Sequence, residues 1–203
     1  MSHNDLPPGA VLGDDGLVRA IWAEKPGMMR DYYDTEWGIP VVGESAHFER
    51  LVLEGFQSGL SWAIILRKRP AFREVFADFD VDTVAAMTPD DVERLMGDER
   101  IVRNRKKIEA TITNAAAVIA LRDEGGLEEF LWSFKPSDTP RPVSIADVPT
   151  TSEESVTLSK ALRKNGFRFV GPTTMFALME AIGIVDTHLL TSHRRGASGV
   201  WPK

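Results

Sequence analysis

The stretch from Thr150 to Gly183 constrains the fold most. It reads "TTSEESVTLSKALRKNG", then "FRFVGPTT", then "MFALMEAIG". A capping pattern from Thr151 to Glu154 opens a helix, and Asn165-Gly166 ends it. A short glycine-bearing turn and a second, apolar helix follow, which commits this part of the chain to helix-on-helix packing. Gly171 lets another backbone approach closely. The amides of Thr173 and Thr174 open the second helix, where partial positive charge suits a phosphate. A plain helical hairpin gives the same pattern, so from these residues alone both readings stand.

The rest of the chain also reads as helix. Phe48, Leu51, Val52, Gly55 and Phe56 recur at helical spacing. Asp80 is placed to cap a short helix, and "TPDDVERLM" starts another with Thr88 as cap and Pro89 in the first turn. A long helix is expected from Asn104 to Leu121, stopped by Gly125 and Gly126, with a short one in "LEEFLWSF". "KPSDTPRPVSIADVP" reads as a loop, and no strand pair is evident. The expectation is an all-α domain over residues 17–195, with the helical hairpin at about 153–182. Residues 1–16, polar and rich in Gly and Pro, are expected to be a disordered tail, and 196–203 a C-terminal tail.

The 203 residues suit one domain or two small lobes sharing a core, and the absence of cysteine removes thiolate metal sites, disulfides and cysteine nucleophiles. No signal peptide opens the sequence, no apolar run can span a bilayer, and a cytoplasmic protein is expected. A net charge of −6 argues against strong nonspecific nucleic-acid binding, yet basic residues cluster at Arg67–Arg69, Arg103–Lys107, Arg163–Arg168 and Arg194–Arg195. Each cluster is either a solvated helix end or part of a binding face.

"LVLEGFQSGLSW", Leu51 to Trp62, sets the carboxylate of Glu54 in an apolar run, where a charge is costly without a partner or a task. A surface pair with Arg50 at i, i+4 is one explanation, and a polar group on a pocket floor is the other.

Three stretches, "YYDTEWG" (Tyr32 to Gly38), "LEGFQSGLSW" (Leu53 to Trp62) and "GFRFVGPTT" (Gly166 to Thr174), resemble the 3-methyladenine DNA glycosylase I family. "RNRKKIEATITNA" (Arg103 to Ala115) and "WSF" (Trp132 to Phe134) fit it too, and the likeness runs collinearly over about residues 17–195. The resemblance implies a helix-hairpin-helix glycosylase fold. It also implies a monomeric, monofunctional enzyme that flips 3-methyladenine out of double-stranded alkylated DNA and hydrolyses its N-glycosidic bond. On that likeness Trp22, Tyr32, Trp37 and Trp62 are pocket aromatics and Glu54 the carboxylate on the base. Gly59 and Leu60 form a wedge into the duplex, and Gly171, Thr173 and Thr174 contact its backbone. The chemistry suits these residue types. A base methylated at N3 of adenine is cationic, and aromatic faces attract cations by about 0.5 to 2 kcal/mol each. For Gly59 and Leu60 a helix-capping glycine followed by a buried leucine is the competing reading.

The sequence departs from the family at three places. The positions matching its structural zinc ligands are Ala20, Tyr33, His188 and Ser192, so no zinc and no other cofactor is expected, with packing or hydrogen bonds among Tyr33, His188 and Ser192 in its place. In "GIVDTHLL", Asp186 stands where relatives commonly carry asparagine; it is either a second catalytic acid or the N-cap of a helix in "THLLTSH". Met29 falls where a pocket tyrosine is common. The departures motivate an alternative, a non-catalytic, zinc-free binder of alkylated or distorted DNA. A helical protein–protein adaptor would leave the aromatic and carboxylate motifs unexplained.

Overall fold

The computed structural model describes residues 6–203. Two short strands come first. β1 (Ala10–Leu12) pairs antiparallel with β2 (Val18–Ala20), Ala10 opposite Ala20. The turn between them is built by "GDDG": Gly16 has φ +76°, and the Leu17 amide donates to Asp15 Oδ1 at 3.0 Å. This corrects two expectations, since a strand pair exists and residues 10–12 of the expected tail are one of its strands. Three residues per strand are too few for alternation to register; contact with the rest of the fold imposes the pairing. Residues 1–5 of that expected tail lie outside the described residues.

Nine α-helices follow among the described residues: α1 (Met28–Thr35), α2 (Glu44–Gln57), α3 (Trp62–Val75), α4 (Val81–Ala85), α5 (Pro89–Met96), α6 (Arg105–Leu121), α7 (Gly126–Trp132), α8 (Glu153–Lys164) and α9 (Pro172–Ala181). Local chemistry starts several as expected. Asp80 accepts from the Thr83 amide, Thr88 and Asp91 form a reciprocal capping box, and Asn104 caps α6. The cap of α8 lies one residue later than expected: Ser152 and Ser155 exchange the capping bonds, and Ser155 is fully buried.

The core surrounds α2, which is buried from His47 to Phe56 except at Glu49. A helix buried nearly all round must be enclosed by others, and α2 packs against α9, α3, α6 and α7. Phe48, Leu53 and Phe56 meet Phe72, Phe76 and Phe79 beneath it. α8 lies against α9, closing the expected helical hairpin. The C-terminal segment is not a free tail: Trp201 is 7% exposed, its indole donates to Gly183 O at 3.2 Å, and Lys135 Nζ sits 3.9 Å over its ring. Among the described residues no helix is long and apolar enough to cross a membrane.

Candidate active site

Glu54 does not pair with Arg50. The Arg50 guanidinium donates instead to Glu36 Oε2 at 2.9 Å, and Arg69 of α3 holds the same carboxylate at 2.6 and 2.8 Å. These cations hold Glu36 well below the usual carboxylate range, at about 2, and tie the end of α1 to α2 and α3. Glu54 is left 5% exposed on the inner face of α2, with Oε2 unpartnered among the described residues. Burial, then the charge of Glu180, pushes its carboxyl up to about 8.

What Glu54 faces is a cavity of about 340 Å³. Trp22, Met29, Tyr32, Trp37 and Trp62 line it together with Glu54, so the sequence-expected base-binding residues share one space. Tyr32 and Trp62 lie 5.3 Å apart between ring centroids, inclined at 45°, and Trp22 meets Trp37 edge-on at 5.3 Å. Besides Glu54 Oε2, two more buried polar atoms of lining residues lack a protein partner among the described residues: Trp62 Nε1 and His188 Nε2. An apolar, aromatic cavity with a few unsatisfied polar atoms has the character of a small-molecule site. Burial beside Glu54 raises the Tyr32 hydroxyl far above its ordinary value and keeps it neutral.

Ala20, Tyr33, His188 and Ser192, the four positions at which the resemblance would put zinc ligands, come together beside this cavity, but as a packed and hydrogen-bonded cluster. Tyr33 Oη and Ser192 Oγ share a bond of 2.6 Å, and the Tyr33 ring packs edge-on to His188 at 5.2 Å and against Ala20. One imidazole, two hydroxyls already bonded to each other and a methyl group do not fit a tetrahedral zinc. His188 Nδ1 donates to Asp186 Oδ1 at 2.8 Å, which leaves Nε2 as an acceptor toward the cavity. Burial holds His188 below its ordinary pKa, against the pull of Asp186.

Asp186 itself is not among the cavity residues. Its Oδ1 also accepts from the His188 amide at 3.0 Å, Oδ2 accepts from the Gly196 amide at 2.8 Å, and Arg195 Nη1 lies 3.6 Å away. No helix forms over residues 187–193, so the carboxylate caps a turn and holds the C-terminal segment rather than a helix. Arg195, expected in a surface cluster, is 2% exposed and donates to the carbonyls of Pro140 and Asp186.

Two loops flank the cavity helices. Gly59 has φ +82° after the end of α2, the capping conformation, but the next residue is not buried: Leu60 is 38% exposed. Lys107 of α6 supports this loop, its Nζ donating to Phe56 O at 2.8 Å and Ser58 O at 2.7 Å. Asn114, two turns along α6, grips the hairpin turn by both the amide and carbonyl of Arg168. One helix therefore sets both loops. Lys107→Met should unpair the last carbonyls of α2, lower stability by about 1 to 3 kcal/mol and speed amide exchange at Gly59 and Leu60, read by denaturation and hydrogen exchange. In the hairpin turn, Phe169 is exposed with φ +56°. At Gly171 a Cβ would meet nothing nearer than Arg163 Nη2 at 3.8 Å, so the fold itself does not demand glycine there. Arg163, Lys164 and Arg168 of the same hairpin stand exposed, whereas Arg105 is spent on Glu93 and Lys68 on the carbonyls of residues 99–101.

The sequence reading missed Glu180 of α9, which also lines the cavity. The signal was available: a lone carboxylate in "MFALMEAIG" invites the question asked of Glu54.

The family profile described as methyladenine glycosylase matches residues 22–195. The DNA-3-methyladenine glycosylase of Haemophilus influenzae is 42% identical over 178 residues, spanning 85% of this chain and 95% of its own. The DNA-3-methyladenine glycosylase 1 of Escherichia coli K12 is 41% identical, spanning 86% and 95%. Among solved structures, a 3-methyladenine DNA glycosylase I superposes with a TM-score of 0.83 at 39% identity, covering 86% of this chain and 98% of its own. The 3-methyladenine DNA glycosylase I of Staphylococcus aureus, described in terms of 3-methyladenine recognition, superposes with a TM-score of 0.79 at 38% identity, covering 84% and 92%.

Proposed function

The chain belongs to the methyladenine glycosylase family, and from that premise we propose that its cavity receives 3-methyladenine flipped from duplex DNA and holds it while water cleaves the N-glycosidic bond. The observation that carries this reading is Glu54, a buried carboxylate in an aromatic cavity whose Oε2 has no hydrogen-bond partner among the described residues. The aromatic faces favour the positive charge of the lesion, and Glu54 is placed to accept from the base and to balance that charge. A cationic base is already a good leaving group, so binding, exclusion of bulk solvent and admission of one water suffice. Thr173, in the hairpin, carries a hydroxyl and no amine. It cannot form a Schiff base, and the product is an abasic site. Asp186 acts as a structural latch, since its oxygens are taken up by His188 and Gly196 outside the cavity.

Leu60 serves as the wedge that fills the gap left by the flipped base. The amides of Thr173 and Thr174, with Gly171 and the exposed cations of the hairpin, hold the phosphates. The protein works as a monomer on double-stranded DNA in the cytoplasm.

Catalysis and folding here proceed without zinc. The Tyr33–Ser192 bond takes over the fastening of the N-terminal segment to the C-terminal one. Tyr33→Phe and Ser192→Ala should each cost about 1 kcal/mol, and the double variant little more than either, as measured by denaturation. A chelator should leave the melting temperature unchanged, and stoichiometric zinc in the purified protein would overturn this account.

The test is chromatography of the bases that purified, chelator-treated protein releases from methylated duplex DNA. Release of 3-methyladenine without 7-methylguanine is expected. A folded protein that binds the DNA and releases neither base would be a lesion binder instead.

A further inference from the structure

We infer that Glu180 is a second carboxylate of the base pocket and a determinant of its selectivity for a cationic base, a reading that rests on the pocket assignment above.

Glu54 enters the cavity from α2 and Glu180 from α9, two helices packed directly on each other. Glu180 Oε1 accepts from Thr187 Oγ1 at 2.5 Å, while Oε2 has no hydrogen-bond partner among the described residues. Among the described residues neither carboxyl forms an ion pair with a cation. Of the groups around them, Arg50 and Arg69 are engaged by Glu36, Tyr32 is a neutral phenol, and His188 is kept neutral by burial. The structure thus places two acids in one apolar space, and the cation that acts on Glu54, Arg50, is already bound to Glu36. Burial pushes Glu180 up to about 7 against the Thr187 hydrogen bond, and the charge of Glu180 in turn raises Glu54.

Two such acids titrate as a pair, the first ionisation opposing the second. A base that brings a positive charge relieves this repulsion and stabilises both carboxylates. A neutral base of the same shape relieves nothing and leaves the pocket protonated. Selectivity for the cation therefore arises from the pair and not from Glu54 alone, and α9 contributes to recognition directly from the helix that follows the hairpin turn.

The test is the pH profile of kcat/KM for 3-methyladenine release from methylated duplex DNA, from about pH 5 to about pH 9, for wild type, Glu180→Gln and Glu180→Asp. Glutamine keeps an acceptor for Thr187, so the variant should fold, which melting curves check. In Glu180→Gln, Glu54 ionises without a neighbouring charge. The acid limb should move about one pH unit lower, and the rate above it should fall about tenfold. Glu180→Asp should restore the wild-type limb and most of the rate. Identical limbs in all three proteins, whatever the rates, would make Glu180 a packing residue and overturn the inference. A folded wild type that releases no base would instead overturn the pocket reading beneath it.

Discussion

Glu54→Gln is expected to lower kcat/KM for 3-methyladenine release at least about 100-fold, equivalent to about 2.7 kcal/mol of transition-state stabilisation. The substitution keeps the shape and one acceptor but removes the negative charge that the pocket offers to a cationic base. The same change should make the protein more stable at neutral and alkaline pH. In the folded state burial and Glu180 push Glu54 from an ordinary 4.5 to about 8. Between those values the unfolded chain gives up this proton while the folded chain keeps it, so stability is full below the lower value and falls as pH rises to the upper one. The loss is on the order of several kcal/mol at about 1.4 kcal/mol per pH unit. Glutamine carries no such cost, so Glu54→Gln should melt higher than wild type at about pH 8 and alike at about pH 4. Excision kinetics and melting curves read both effects. Unchanged excision would remove Glu54 from the pocket's work.

The second large effect is at Asp186, and here stability should move while activity does not. Asp186→Ala leaves Arg195 buried without its carboxylate and strips acceptors from His188 and Gly196. Breaking one side of a buried charged network costs about 3 to 5 kcal/mol. Asp186→Asn keeps an acceptor but turns an amide donor toward another donor, at a cost of about 1 to 3 kcal/mol. Burial opposes the charge on Asp186, but His188, Gly196 and Arg195 outweigh it, so its carboxyl lies below the ordinary value. Its stabilisation is therefore present above the ordinary carboxylate pKa and lost as acid protonates it. Denaturation against pH checks this. Asp186→Asn should retain kcat/KM within about threefold of wild type, and a loss of hundredfold in a folded variant would restore the catalytic reading.

How far the sequence could be read depended on the range of each interaction. Capping at Thr88 and Asn104, the span of α6 and the α8–α9 hairpin rest on residues close in sequence, and their chemistry shows in the letters. The cavity was legible because Tyr32, Trp37, Glu54 and Trp62 sit in motifs resembling those of a known family, with Trp22 matching just upstream of them, and the fold gathers all five at one place. Glu54 alone, without that likeness, was equally well explained by Arg50. Only the approach of Glu36 from α1 decides the matter. The β1–β2 pair was not legible because three-residue strands carry no periodic signal. The helix expected in "THLLTSH" does not form; Asp186 instead accepts from the His188 and Gly196 amides and lies 3.6 Å from Arg195. The segment thus folds back on the carboxylate within ten residues, a turn that helix propensity does not register. Arg194 and Arg195 look like a surface pair in the letters, although Arg195 is buried.

The most direct test of the central claim is equilibrium binding of free 3-methyladenine, followed by tryptophan fluorescence. Three of the chain's five tryptophans, Trp22, Trp37 and Trp62, line the cavity. Saturable quenching by 3-methyladenine, with adenine and 7-methylguanine giving none at the same concentrations, is the result expected of a pocket built for that base. Equal quenching by all three bases, or none by any, would contradict it.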